Sequence, residues 1–513
     1  MGYSKNKKIL IFYKTKRFSK CNTCFFLLVS LLLLNSCGSS SSSPSPSPSP
    51  SPSPPPIMSC TSSERRIFVT NSSGQEIWVG VTAGTISCLS DNDCPTLASG
   101  SCVGANSGAG VAGSCGCSGA NSMCGSIAQC NSSNKLCYWN LPSLTKAQIN
   151  LASGTKTSIC FPAPPTGQNI QWSGNIFART GCDSKGQNCT TGDCGANSNG
   201  ICPTGTGGNP PTTLFEFTLS NQLTFTSATQ KDFYDISIIN GINVGLSGGP
   251  VEGTFVASSG DPYSCETPGN TTASGKLSAC SWTVTPTVSG TNYATILRDI
   301  TPTSFKGTTC PSGGAPNSLG YCTCTADSDC SSQNLVCGLA LNASSSKYTQ
   351  VCGTFAAWWT ADQICGSSIS TSTPFGSPLN CTSTITNSDN TLSTYTNLFL
   401  CTKPSSANNP EQSQSCYTNK AVSDCCGCAT SASNSLSVNW PSAFNPSFGG
   451  NDNGCYSNNT QWASIAQPWL VHLKLACPTA YTYPFDDATS TFTCKGSTAV
   501  GAPDYNLTFL PIH

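Results

Sequence analysis

From residue 65 onward, apolar and polar residues alternate over short stretches, a period of two that predicts strands. Arg66-Ile-Phe-Val-Thr and Glu76-Ile-Trp-Val-Gly-Val are β-branched and aromatic runs, split by the turn-forming Asn71-Ser-Ser-Gly. Further runs cover 213–219, 233–239 and 506–509. Helical periodicity is scarce. Its best instance is 463–476, where Ile465, Trp469, Leu470, Leu473 and Ala476 recur at helical spacing. Frequent Gly and Pro supply the loops that many short strands need. The pattern predicts an all-β fold.

The first 56 residues follow other rules. Lys5, Lys7, Lys8, Lys14, Lys16, Arg17 and Lys20 precede a ten-residue apolar run, Phe25 to Leu34. That length suits a signal peptide and is short for a membrane span. Leu34-Asn35-Ser36-Cys37 then resembles a bacterial lipobox, which predicts cleavage before Cys37 and lipidation of its sulfur. Residues 38–56 are Ser-rich, then alternate Ser with Pro. Such a tract cannot bury a core and reads as an extended spacer. The expected organisation is a lipoprotein signal at 1–37, a linker at 38–56 and a folded part at 65–513. The location expected from it is the bacterial cell envelope, at the outer membrane or cell surface.

Composition sharpens this. Only 9% of the 513 residues are charged, and 35 are cysteine. The chain has only two His, and the CxxC at Cys21–Cys24 lies before the apolar run, so a zinc reading lacks ligands and disulfides in an oxidising compartment are expected. Setting aside Cys21, Cys24 and Cys37 leaves 32 cysteines, an even number. Formal charge is zero, but seven basic residues lie in the first 37; the remaining 16 face 23 acids, a net of −7. An acidic chain without a basic patch argues against nucleic acid as partner. No cofactor or metal is expected, and a monomer is.

Five motifs carry a resemblance. They are Trp172-Ser-Gly-Asn-Ile-Phe-Ala-Arg-Thr-Gly-Cys182, then Thr191-Gly-Asp-Cys194-Gly, Pro210-Pro-Thr-Thr-Leu-Phe-Glu-Phe-Thr-Leu219, Asp232-Phe-Tyr-Asp-Ile-Ser-Ile-Ile-Asn-Gly-Ile-Asn243, and the stretch Cys477-Pro-Thr-Ala-Tyr to Phe492-Thr-Cys494. In this order they resemble the thaumatin-like family. The resemblance implies a β-sandwich with a disulfide-rich loop and helix region. It implies disulfide roles for Cys182, Cys189, Cys194 and Cys202 as two small loops, for Cys416, Cys425 and Cys426 by their spacing, and for Cys477 and Cys494. Family members also tie the first strand to the C-terminus by a disulfide. Here the two sites read Asn71-Ser-Ser and Phe509-Leu-Pro, so both cysteines of that bond are missing together.

Family members are often near half this length. The surplus falls at about 86–138 and about 281–415, both cysteine-dense and alike: Ser90-Asp-Asn-Asp-Cys94 before Cys102, and Ala326-Asp-Ser-Asp-Cys330 before Cys337. These read as disulfide knots grafted onto loops. Their Asp pairs lack EF-hand spacing and read as turn acids ahead of calcium ligands.

The resemblance also implies an acidic cleft that binds β-1,3-glucan-type polymers. Its five positions correspond to Asn175 (an Arg in the family), Glu216, Asp235, Asn240 (an Asp in the family) and Asp486, with Asp487 as the alternative register. Three carboxylates remain. Glu216 as acid and Asp235 as its partner are the candidate catalytic pair, since glycoside hydrolysis needs two carboxyls, with Asp486 able to raise Glu216 by repulsion. Non-catalytic recognition of polysaccharide, with an antifungal or competitor-directed role, is the leading expectation. A weak endo-β-1,3-glucanase using Glu216 and Asp235 is the first rival, and a structural or adhesive surface protein binding a protein partner through its inserts is the second. Other chemistry is thin. Gly245-Leu-Ser-Gly-Gly249 fits GxSxG but needs a strand–turn–helix and a partner His. His472 reads as structural, and Trp358-Trp359 as core ahead of a sugar platform.

Overall fold

A computed structural model describes residues 60–61, 64–88, 91, 94, 102–103, 113–117, 124–126, 128–162, 170–220, 231–257, 261–269, 277–331, 334–342, 347–366, 376–386, 392–404, 413–415, 460–484, 486–496 and 502–513. The export signal, Cys37, the Ser/Pro tract, Cys416, Cys425 and Cys426 lie outside the described residues.

Two sheets form a sandwich. Their strands are β1 (Arg65–Asn71), β2 (Ile77–Ala83), β3 (Asn150–Leu151), β4 (Lys156–Phe161), β5 (Ile170–Thr180), β6 (Leu214–Ser220), β7 (Asp232–Ser237) and β8 (Gly245–Pro250). After an inserted unit of β9 (Arg298–Pro302), β10 (Val336–Asn342) and β11 (Lys347–Trp358) come β12 (Phe492–Cys494) and β13 (Tyr505–Leu510). One sheet runs β8-β13-β1-β4 and the other β12-β7-β6-β5-β2-β3. Each predicted strand is present, shifted by one or two residues.

Alternation decides what faces what. In β6, Phe215, Phe217 and Leu219 are buried while Glu216 and Thr218 are only partly so. Phe161 of the first sheet meets Trp172 and Phe217 of the second at ring centroids of 4.7 and 5.2 Å. Those contacts are the centre of the core, as two facing sheets require. The helix expected over 463–476 is three short pieces, Thr460–Ile465, Gln467–Trp469 and Val471–Ala476. Pro468 has no N–H to donate to the preceding turn, which divides the run.

Thirteen disulfides join described residues, and they fit a chain that matures in an oxidising compartment. Cys182–Cys189 and Cys194–Cys202 close the two small loops. Cys477 and Cys494 bond Cys280 and Cys265. The terminal staple is indeed missing, yet β1 and β13 still pair in parallel, with Asn71 opposite Phe509. Cys60–Cys160 ties the segment before β1 to β4 instead. Within the first insertion, Cys88–Cys102 and Cys94–Cys115 interlace, as do Cys324–Cys337 and Cys330–Cys352 in the second. Where three cysteine sulfurs crowd together, as at Cys88, Cys94 and Cys115, at least two are joined by a disulfide and are not thiolates.

Candidate functional site

The outward face of the six-stranded sheet carries a groove of about 330 Å³. Strand register builds it. Asn175 stands opposite Glu216, and Glu216 opposite Asp235, so the three form a row across β5, β6 and β7. Residues directly opposite in antiparallel strands have Cβ atoms about 5 Å apart. Two residues along lies a parallel row: Ser173 opposite Thr218, and Thr218 opposite Phe233. The Ser173 and Thr218 hydroxyls meet at 3.0 Å. Phe233 is 43% exposed, a large ring left in solvent at the groove's edge, with the Lys231 ammonium 5.3 Å from its centroid.

Gly174 lets the floor close. A Cβ there would sit 2.1 Å from the Thr82 carbonyl oxygen and 2.4 Å from the Trp172 ring. This is the physical content of the Trp-Ser-Gly motif.

Among the described residues, no basic side chain lines the groove. Burial pushes the Glu216 carboxyl above its ordinary range, against a hydrogen bond with Ser237 that favours the charged form. The Asn175 Oδ1 is a buried acceptor without a hydrogen-bond partner, so the amide that stands where family members have Arg adds an oxygen, not a cation, to the two carboxylates.

Only three of the five expected cleft positions meet here. Asn240 lies in the turn after β7, its side chain accepting from Gln363 Nε2 at 3.3 Å. Asp486 is 2% exposed and does not line the groove. It ion-pairs with Lys474 Nζ at 2.6 Å and accepts from the Thr482 N–H and the Thr489 hydroxyl. A carboxylate so occupied holds its own loop and is not available to a ligand. The side chain of Asp487 lies outside the described residues.

Other sequence candidates resolve as structural. Ser247 lies inside β8, opposite Thr508, with no strand–turn–helix around it. His472 is 1% exposed, and Trp358 and Trp359 are both buried. Asp327 accepts from the Arg298 guanidinium and from the Cys337 N–H, and Asp329 from the Thr325 and Ala326 N–H groups. Phe233, Ser173 and Thr218 were the groove residues the motifs did not single out. The signal for them was present: all share the strand parity of Glu216 and Asp235. Asp362, beside Gln363 and buried, is a further carboxyl near Asn240; burial pushes it up to about 6.

The profile of the thaumatin family matches residues 142–511. The chain belongs to the thaumatin family. Among its relatives, Thaumatin-like protein 1 of Prunus persica is 37% identical over 116 residues, 22% of this chain and 41% of that protein. Pathogenesis-related protein 1A/1B of Hordeum vulgare is 38% identical over 122 residues, 23% of this chain and 57% of that one. The chain thus spans about half the length of the curated relatives it matches. A solved thaumatin-like xylanase inhibitor, TLXI, aligns at 19% identity and a TM-score of 0.17, over 36% of this chain and 74% of the inhibitor. So loose a superposition carries no argument about this member of the thaumatin family. This member carries two insertions with interlaced disulfides, an Asn at 175 and a Cys60–Cys160 staple.

Proposed function

We propose that this thaumatin family protein binds neutral polysaccharide of the β-1,3-glucan type along the Glu216 groove, without needing to cleave it. The observation that carries the reading is the pairing, in one groove, of the Glu216–Asp235 carboxyl row with the exposed Phe233 ring. Sugar hydroxyls donate to carboxylates, and the C–H face of a pyranose packs on an aromatic ring. Ser173 and Thr218 add hydroxyls in the same row as Phe233. Retention on insoluble β-1,3-glucan tests it. Wild type is retained, while Phe233→Ala and the Glu216→Gln/Asp235→Asn double variant are not. Equal retention of all three rejects the reading.

One observation favours hydrolysis as a second reading. Glu216 stands directly opposite Asp235, with Cβ atoms about 5 Å apart, so the side chains are within reach of the ~5 Å carboxyl separation that retaining glycosidases use, and a Glu216 carboxyl raised by burial suits an acid. Reducing-sugar release that disappears in Glu216→Gln supports it; none from wild type removes it.

The proposal includes the location. Export, lipidation at Cys37 and a Ser/Pro tether would hold the groove outside the cell. Incorporation of labelled fatty acid that is lost in Cys37→Ser checks this. Unlabelled wild-type protein rejects the anchor and leaves the groove reading untouched.

A further inference from the structure

A second recess, of about 240 Å³, lies where the ends of β1, β5 and β13 meet the inserted strands β9 and β11. The scaffold contributes Ser73, Gln75, Thr180 and Thr190, and the insert contributes Thr301 and Phe355. Among the described residues, none that line it is charged. Phe355 is 38% exposed although it belongs to a strand, and its ring packs on Trp358 at 5.2 Å between centroids. The Thr190 hydroxyl has only a 3.5 Å reach to the Gly181 carbonyl, at the limit of a hydrogen bond. The Ser73 hydroxyl donates to Asn71 Oδ1 at 2.7 Å, which leaves its oxygen an acceptor.

Ser73 and Leu510, both lining the recess, stand where the resemblance places the terminal disulfide. The two segments are joined there by the Ser72 N–H to Phe509 carbonyl bond at 2.8 Å.

Hydroxyls and an amide both donate and accept, as sugar hydroxyls do, and an exposed ring offers a face to sugar C–H groups. A lining without charge gives an ionic ligand nothing to offset its lost hydration. The volume is below that of pockets for drug-sized ligands. We propose that this recess is a second saccharide site, taking one or two rings of an uncharged sugar, built jointly by the scaffold and the second insertion.

The site does not depend on the Glu216 groove, and calorimetric titration of the full mature chain with laminarihexaose and maltohexaose separates the two. Phe355→Ala weakens binding at the recess by about tenfold or more, the scale of one lost aromatic contact. Thr190→Tyr, which fills the recess from an exposed position and keeps Phe355, does the same. Phe233→Ala leaves that binding event intact. Binding of both sugars unchanged in Phe355→Ala and Thr190→Tyr overturns the proposal, as does a Phe233→Ala protein that binds neither. A single event removed by Phe355→Ala and untouched by Phe233→Ala upholds the recess and rejects the groove.

Discussion

Arg65 of the first sheet and Asp232 of the second form an ion pair sealed from solvent, with side-chain exposures of 4% and 0%. Arg65 also donates to the Ser220 and Pro503 carbonyls, and Asp232 accepts from the Tyr505 hydroxyl at 2.7 Å and the Ser220 N–H at 2.8 Å. Of the elements they join, β6 (Ser220) and β7 (Asp232) also carry the groove. Removing one partner strands a buried charge, so Asp232→Ala should cost about 3–5 kcal/mol. The Arg65→Met/Asp232→Leu double variant should recover much of it. Urea denaturation of the three proteins measures both; equal losses in single and double variants would contradict the account.

Stability should respond to pH in two opposing ways. Burial pushes the Asp299 carboxyl up to about 7 and the Asp362 carboxyl to about 6. The folded chain therefore binds those protons more tightly than the unfolded one. Their contribution is full below pH ~4 and is lost as pH rises towards 7. Burial instead lowers His472 to about 4. Its contribution is present above pH ~6.5 and is lost as pH falls through 4. Asp299→Asn should remove a stability loss of up to about 4 kcal/mol between pH 4 and 7. His472→Phe should flatten the acid side. Denaturation midpoints at pH 4, 5.5 and 7 decide it; an Asp299→Asn slope parallel to wild type would refute the assignment.

The Cys60–Cys160 bridge closes a separation of 100 residues, but disulfides at 88–102 through 124–137 already cross-link that span. The remaining gain should be about 2–4 kcal/mol. The Cys60→Ser/Cys160→Ser variant should lose that much and still fold, because β1 remains paired on both sides. A change under about 1 kcal/mol would mean that the strand pairing alone holds the N-terminal edge.

Much of this was legible in the chain because it is local. The strand around Glu216 follows from Phe215, Phe217 and Leu219 alternating with polar residues, and the Cys182–Cys189 and Cys194–Cys202 loops span only seven and eight residues. What failed is non-local. Cys265–Cys494 spans 229 residues, and nothing near either sulfur signals the other. Cys60 and Cys160, 100 residues apart, pair for reasons equally invisible near either sulfur. Asp486 sits in a family motif, yet its neighbour Lys474 becomes visible only when the helix and loop pack. Pro468 is local: its missing N–H divides the helix although the apolar spacing around it runs on unbroken.

The two insertions share more than spacing, and that likeness sets the last test. Asp91 Oδ1 accepts the Cys102 N–H at 2.6 Å, and Asp327 Oδ1 accepts the Cys337 N–H at 2.9 Å. In each unit that cysteine is the third of four, bonded to the first, while the second bonds the fourth. In each, the second cysteine's N–H bonds the carbonyl of the same Asp, at 3.3 and 3.0 Å. The carboxylate therefore positions the crossing of two bridges. Asp327→Asn keeps the Oδ1 acceptor and should cost little, whereas Asp327→Ala should cost about 1–3 kcal/mol locally. Faster dithiothreitol reduction of Cys324–Cys337 in the Ala variant, at unchanged scaffold stability, reads this out. If the acids serve only these turns, adding calcium or a chelator shifts the melting temperature by no more than about 1 °C. A larger calcium-dependent rise that vanishes in Asp91→Asn or Asp327→Asn would instead assign the carboxylates to a cation.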